Sequence, residues 1–228
     1  MEQKKLPRWG IATAALPVLA AVVWYVTSDT PSPSQTAFET SRIDPDSIVN
    51  AASHTEPLPD MFIGDADAPI ELIEYASFTC PHCARFHVDV YPKLKTNFID
   101  TGKVKFVLRE VYFDKFGLWA GMLARCGGDD RYFGIADLLF KEQGSWARGN
   151  DSDVIANMFR LGRQAGMNND QMNTCVQDNA HAQALVADFQ LKAGQDQINS
   201  TPSFVINGEK VGNMSYADFE TYLNERLK

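Results

Sequence analysis

A dense apolar run, Ile70 to Ala76 (IELIEYA), is followed after three residues by Cys80-Pro81-His82-Cys83. The run has the length and apolar density of a central strand. Pro81 suits the first position of a helix, because it has no N–H to leave unpaired and its φ is already helical. Two cysteines therefore sit where a strand hands over to a helix. With Cys80 as the cap, the backbone N–H groups of His82 and Cys83 point towards the Cys80 sulfur. Those donors and the positive helix end both favour thiolate over thiol. Cys83 lies almost one turn further on, so its sulfur can close a disulfide with Cys80. The two then differ in role: Cys80, at the exposed tip, attacks, and Cys83, pointing back under it, resolves.

A C-x-x-C spacing serves three chemistries: a redox dithiol, half of a zinc site, or haem attachment. Haem attachment needs a histidine directly after the second cysteine, and Ala84 stands there. A structural zinc site needs a second ligand pair at close spacing, and Cys126 and Cys175 are isolated from one another. The strand-to-helix setting favours the dithiol, with no metal and no cofactor. His82, between the cysteines, would stabilise the thiolate further when protonated and make the disulfide more oxidising. His87, four residues past Cys83, reads as a surface or half-buried structural residue. Ile70, Leu72 and Glu74 share a strand face by two-residue alternation. A carboxylate on that apolar face is a buried-acid candidate, its pKa raised by desolvation, that could exchange protons with Cys83. If the strand ends early, Glu74 is merely solvated. Glu71, on the other face, looks structural.

The remaining pattern predicts an α/β fold. Met61 to Ile63 is a short strand candidate, and Gly64 to Pro69 is turn chemistry. The helix opened by Pro81 is predicted to reach about Phe98, with a kink at Pro92. Val104 to Tyr112 is the next strand, joined to the first long one by a right-handed crossover. From about 114 to 193 the apolar spacing is helical, interrupted at Gly127-Gly128, Gly149-Asn150 and Gly166-Met167-Asn168. Strand signals return at Ser203 to Ile206 and Glu209 to Val211, around an Asn207-Gly208 hairpin turn. Tyr216 to Leu227 closes the chain as a helix capped by Ser215 or Asn213. The order is βαβ, a helical block, then ββα.

Ahead of this body, Lys4, Lys5 and Arg8 precede 20 uncharged residues, Trp9 to Ser28, close to the length of a membrane span. The basic flank places the N-terminus in the cytoplasm and exports the body. Residues 1–28 are either an uncleaved anchor, for which Trp24 and Tyr25 are suitable interfacial residues, or a signal peptide with a weak site at Val18-Leu19-Ala20. Residues 29–58, rich in Pro, Ser and Thr, read as a flexible stalk, with one short helical turn between Asp46 and Ala52 and a solvated His54. The chain carries a net charge of −8, and beyond residue 27 it holds 18 basic against 28 acidic side chains. Such a surface repels phosphates, which excludes nucleic acid as a partner.

Three separated motifs together resemble the DsbA-like thiol:disulfide oxidoreductases over about residues 59–228. They are Glu74 to Cys83 (EYASFTCPHC), with the acid six residues before the first cysteine; the helical block of about 114–193; and Thr201 to Gly208 (TPSFVING). The resemblance implies a thioredoxin-like fold with an inserted all-helical subdomain. It implies a cis Thr201–Pro202 bond facing Cys80, with Thr201 and Pro202 forming a substrate-docking edge. It implies a periplasmic enzyme that introduces disulfides into reduced exported proteins through a mixed disulfide, reoxidised by a DsbB-like, quinone-linked membrane partner. Thr201 departs from the valine of the best-known oxidases of the family, which leaves the potential open. Family members carry a second disulfide in the helical block, which implies a structural Cys126–Cys175 pair. A membrane-tethered reductase or isomerase using the same dithiol is an alternative. So is a periplasmic copper-binding protein, although the seven methionines form no M-x-x-M cluster.

Overall fold

The computed structural model describes residues 57–228. The expected anchor or signal segment and most of the stalk, including the turn at 46–52 and His54, lie outside them. Five strands form one mixed sheet: β1 (Met61–Ile63), β2 (Ile70–Ala76), β3 (Val104–Glu110), β4 (Ser203–Ile206) and β5 (Glu209–Val211), in the order β1-β3-β2-β4-β5. β2 and β3 run parallel, with Ile70 opposite Val104 and Ala76 opposite Glu110. β4 lies antiparallel on the other edge of β2, with Glu74 opposite Phe204. β2 is thus central, as its apolar density requires. Ile70, Leu72 and Ala76 face the main core, while Ile73 and Tyr75 face a smaller one.

Between β2 and β3 the chain forms α1 (Pro81–Asp89) and α2 (Tyr91–Leu94), then a wide turn from Lys95 to Ile99. The break falls at Val90, because Pro92 has no N–H to offer the Val88 carbonyl four residues back and its ring crowds that turn. β3 ends at Glu110, two residues short of the apolar pattern. Gly64 follows β1 with φ +104°, and a Cβ there would meet the Val104 carbonyl at 2.6 Å, so only glycine fits the turn. The Asn207-Gly208 turn has positive φ at both residues, the geometry that matches strand twist in a two-residue hairpin.

Six helices separate β3 from β4: α3 (Lys115–Cys126), α4 (Asp129–Lys141), α5 (Gln143–Trp146), α6 (Asp151–Gln164), α7 (Asn169–Val176) and α8 (Asn179–Gln195). Asn150 and Asp153 form a reciprocal capping box on α6. A disulfide joins Cys126 at the end of α3 to Cys175 in α7, with Cα atoms 5.9 Å apart. α9 (Tyr216–Arg226) closes the chain, capped by Ser215. On the far face of the sheet, Arg109 donates to Asp60 at 2.8 Å and to Asp196 at 2.9 Å, and Lys192 donates to Asp60 at 2.9 Å. This ionic cluster fixes the start of β1 to α8. Among the described residues, no helix is long and apolar enough to cross a membrane.

Candidate active site

Cys80 stands at the junction of β2 and α1 and caps α1, its sulfur accepting from the Cys83 N–H at 3.5 Å. It is half-buried, whereas Cys83 has 0% of its surface exposed. Both are free thiols. The Cys80 thiol falls from 9.0 to about 5. Its largest cause is the hydrogen bond from the Cys83 thiol. Burial opposes the shift, and the Thr201 side chain with the backbone N–H groups of Cys83 and His82 add to it. Cys83 moves the other way, well above the ordinary thiol range. The same bond raises it, and so do burial and the nearby charge of Glu74. One sulfur is thus an accessible thiolate at neutral pH and the other a buried thiol.

The turn before β4 completes the sulfur's surroundings. The Thr201–Pro202 bond is cis, and the Cys80 thiol lies 3.6 Å from the Thr201 carbonyl oxygen. Pro202 is buried. The His82 ring is exposed and turns to Arg85, whose Nη2 lies 2.7 Å from Nδ1. Arginine only donates, so Nδ1 accepts. The backbone N–H of His82 is among the groups that lower the Cys80 value.

Glu74 is fully buried, and burial raises its carboxyl above the usual range. Its Oε2 lies 2.8 Å from Nε2 of His87, a residue with only 2% exposure. His87 is therefore a core residue bonded to the acid rather than a surface or half-buried one. α1 carries it into the core because it stands one turn past Cys83 on the same helical face. Its ring stacks on Phe140 of α4, with centroids 3.9 Å apart at 10°.

Two further positioning contacts carried no sequence signal. Gln143, at the start of α5, donates from one amide nitrogen to the carbonyls of Phe78 at 2.8 Å and Cys80 at 2.9 Å. Thr79 donates to Asp114 at 2.6 Å, and Asp114 also caps α3. The helical insertion thus holds the cysteine loop at two points, its backbone through Gln143 and the Thr79 hydroxyl through Asp114. Two open hollows flank α1. One, of about 180 Å³, is lined by His82, Arg85, Phe86, Val90 and Met214. The other, of about 310 Å³, is lined by Ala84, Val88, Phe140, Lys141 and Gln143. Cys126 and Cys175 belong to the insertion and take no part in this site. Among the described residues, no group of three or more His, Cys, Asp or Glu side chains is arranged to hold a metal.

Comparison with known proteins agrees with this geometry. A family model described as Thioredoxin matches residues 56–225. A Rickettsia bellii protein, named as a candidate protein-disulfide oxidoreductase, is 32% identical over 170 residues, which are 74% of this chain and 65% of that protein. The chain spans about 60–65% of the length of this and two further Rickettsia relatives. Among solved structures, alpha-DsbA1 of Wolbachia pipientis superposes with a TM-score of 0.68 at 32% identity, over 75% of this chain and 92% of that one. BdbD of Bacillus subtilis shares the fold, with a TM-score of 0.63 at 21% identity over 74% of this chain and 92% of that one. A thioredoxin fold with a helical insertion, a strand-to-helix dithiol and relatives of this kind place the chain in the DsbA-like thiol:disulfide oxidoreductase family.

Proposed function

We propose that the protein is a thiol:disulfide oxidoreductase that passes the Cys80–Cys83 disulfide to reduced exported proteins. The observation that carries this reading is the inequality of the two sulfurs: Cys80 half-exposed and held as thiolate, Cys83 buried and held as thiol. A stabilised thiolate favours the reduced enzyme, which makes its disulfide a strong oxidant. A substrate thiolate attacks Cys80 and displaces Cys83, giving a mixed disulfide. A second substrate thiol then displaces Cys80 and leaves with the new disulfide. In this scheme Pro81 sets the helix start, Glu74 serves as proton acceptor for Cys83, and Thr201 with Pro202 offers backbone for an extended substrate segment. The Cys126–Cys175 disulfide is structural.

The reduced enzyme returns to its oxidised state through a DsbB-like, quinone-linked membrane partner. Residues 1–28 tether or target the domain to the periplasmic side of the inner membrane, residues 29–58 are the stalk, and residues 59–228 are the catalytic domain. The deciding experiment is the reduction potential of the Cys80–Cys83 pair, by equilibration with glutathione, with a Cys126→Ser/Cys175→Ser control. A value well above the roughly −270 mV of thioredoxin is expected. A value at or below it would refute the donor role and assign a reductase.

A further inference from the structure

We propose that Glu74 and His87 form one proton-holding unit beneath Cys83, with His87 as the positioning residue that makes Glu74 a usable base. The inference rests on the exchange reaction proposed above and assigns a part of it that His82 and Glu74 alone do not account for.

The contacts define the unit. Glu74 has Oε2 bonded to His87 Nε2 at 2.8 Å, and its Oε1 is buried with no partner. The Nδ1 of His87 is likewise buried without a partner. Among the described residues, no lysine or arginine reaches Glu74, so His87 is its one hydrogen-bonding side chain there. The ring satisfies the contact by donating from Nε2 to Oε2.

Oε1 is then the open acceptor of the pair, and Glu74 lies close enough to both sulfurs for their charges to interact. In the resolving step, the Cys83 Sγ–H bond breaks and a proton bond to Oε1 forms. The electron pair left on Cys83 attacks the Cys80 sulfur of the mixed disulfide. The Cys80–Cys83 bond forms, and the partner leaves as thiolate, reduced. In the donor direction Cys83 leaves as thiolate and takes the proton back from Oε1. The Oε2···H–Nε2 bond persists throughout and favours the ionised acid. Without it, the buried carboxyl would keep its proton and cease to be a base.

The surroundings add little competing charge. α1 supplies Cys80 and Cys83. α2 supplies Tyr91, 4.9 Å from the His87 ring and kept neutral by burial. Glu74 itself, Asp137 of α4 and Asp100 after the wide turn act on Tyr91 by charge. β3, α4 and β4 otherwise present Phe106, Phe140 and Phe204.

The test uses the reduced full chain with glutathione disulfide as the probe. Acid quench and mass spectrometry follow conversion of the Cys80–glutathione adduct to the Cys80–Cys83 disulfide from about pH 4 to 9. In the wild type, the rate rises with pH through one midpoint. His87→Phe moves that midpoint up by roughly one to two pH units, the equivalent of one lost charge-assisted hydrogen bond. His87→Gln, which restores an N–H donor, recovers at least half of the shift. In a Glu74→Gln background, resolution is slow at every pH and His87→Phe changes nothing further. His87→Met replaces His87→Phe if the larger ring disturbs folding by circular dichroism. A folded Phe or Met variant with the wild-type midpoint, or a Gln variant no better than the Phe or Met variant, overturns the proposal. A wild type that forms the adduct and never resolves it refutes the exchange reaction itself, whatever His87 does.

Discussion

Replacing Cys83 by alanine in the reduced protein separates two causes of the Cys80 thiolate. One is the helix terminus, through the N–H groups of His82 and Cys83. The other is the Cys83 thiol, which makes the largest contribution to bringing Cys80 from 9.0 to about 5. A hydrogen bond to a charged group is worth roughly 1.5–3 kcal/mol. At about 1.4 kcal/mol per pH unit, its loss moves the Cys80 value by roughly one to two units. Cys80 is half-exposed, and solvent screening favours the lower end. Cys83→Ala is therefore expected to titrate at about 6, and no higher than about 7. Cys83→Ser keeps a hydroxyl donor in place and is expected to stay within about half a unit of the reduced wild type. The assay is a pH titration of the ultraviolet thiolate band, with iodoacetamide reactivity as a second measure. If Cys83→Ala titrates with the wild type, the helix terminus alone holds the thiolate and the assigned role of the buried sulfur is wrong.

Three further outcomes are expected. The lowered Cys80 value stabilises the reduced fold fully above about pH 9, and that contribution disappears as pH falls through about 5. The oxidised protein has no such thiolate, so the stability of the reduced form relative to the oxidised form should grow between those values. Urea unfolding of both forms at several pH values measures it, and a constant gap would contradict it. Cys126→Ser/Cys175→Ser opens a loop of 49 residues and should lower stability by roughly 4 kcal/mol in denaturant unfolding. A loss under about 1 kcal/mol would show that the closed loop does little to the unfolded chain. Gln143→Ala leaves the Phe78 and Cys80 carbonyls without their shared donor and should cost about 1–3 kcal/mol. An unchanged unfolding midpoint would mean that water replaces the amide freely.

The parts of the fold set by local pattern were legible in the sequence. Ile70 to Ala76 reads as a central strand from its apolar density, and Asn207-Gly208 reads as a hairpin from turn chemistry alone. Cys80 reads as a cap because Pro81 needs the first helical position. Alternation places Glu74 on the face of Ile70 and Leu72, and that face is buried. What the sequence withheld was the partner across the gap. His87 is four residues from Cys83, a spacing that puts the two on one helical face. That spacing points to Glu74 only once the face of α1 is matched to the face of β2. Gln143 offers no comparable signal, since its role depends on where α5 docks. The break at Val90 shows the same limit. The influence of Pro92 is local and legible in the sequence, but the chain breaks at Val90 and resumes as a separate short helix whose Tyr91 and Leu94 are buried.

The stacking of Phe140 on His87 ties the insertion to the chemistry of the strand beneath it. Phe140 belongs to α4, while Glu74 and the cysteines belong to the thioredoxin half of the fold. α4 therefore supplies one wall around the Glu74–His87 pair, so the surroundings of the acid include a subdomain that contributes no reacting atom. A change in how tightly that wall closes would retune the basicity of Glu74 without touching a cysteine. In a fold of this kind, drift within a helical insertion is a route to a different working pH, open to sequences whose redox motif never changes.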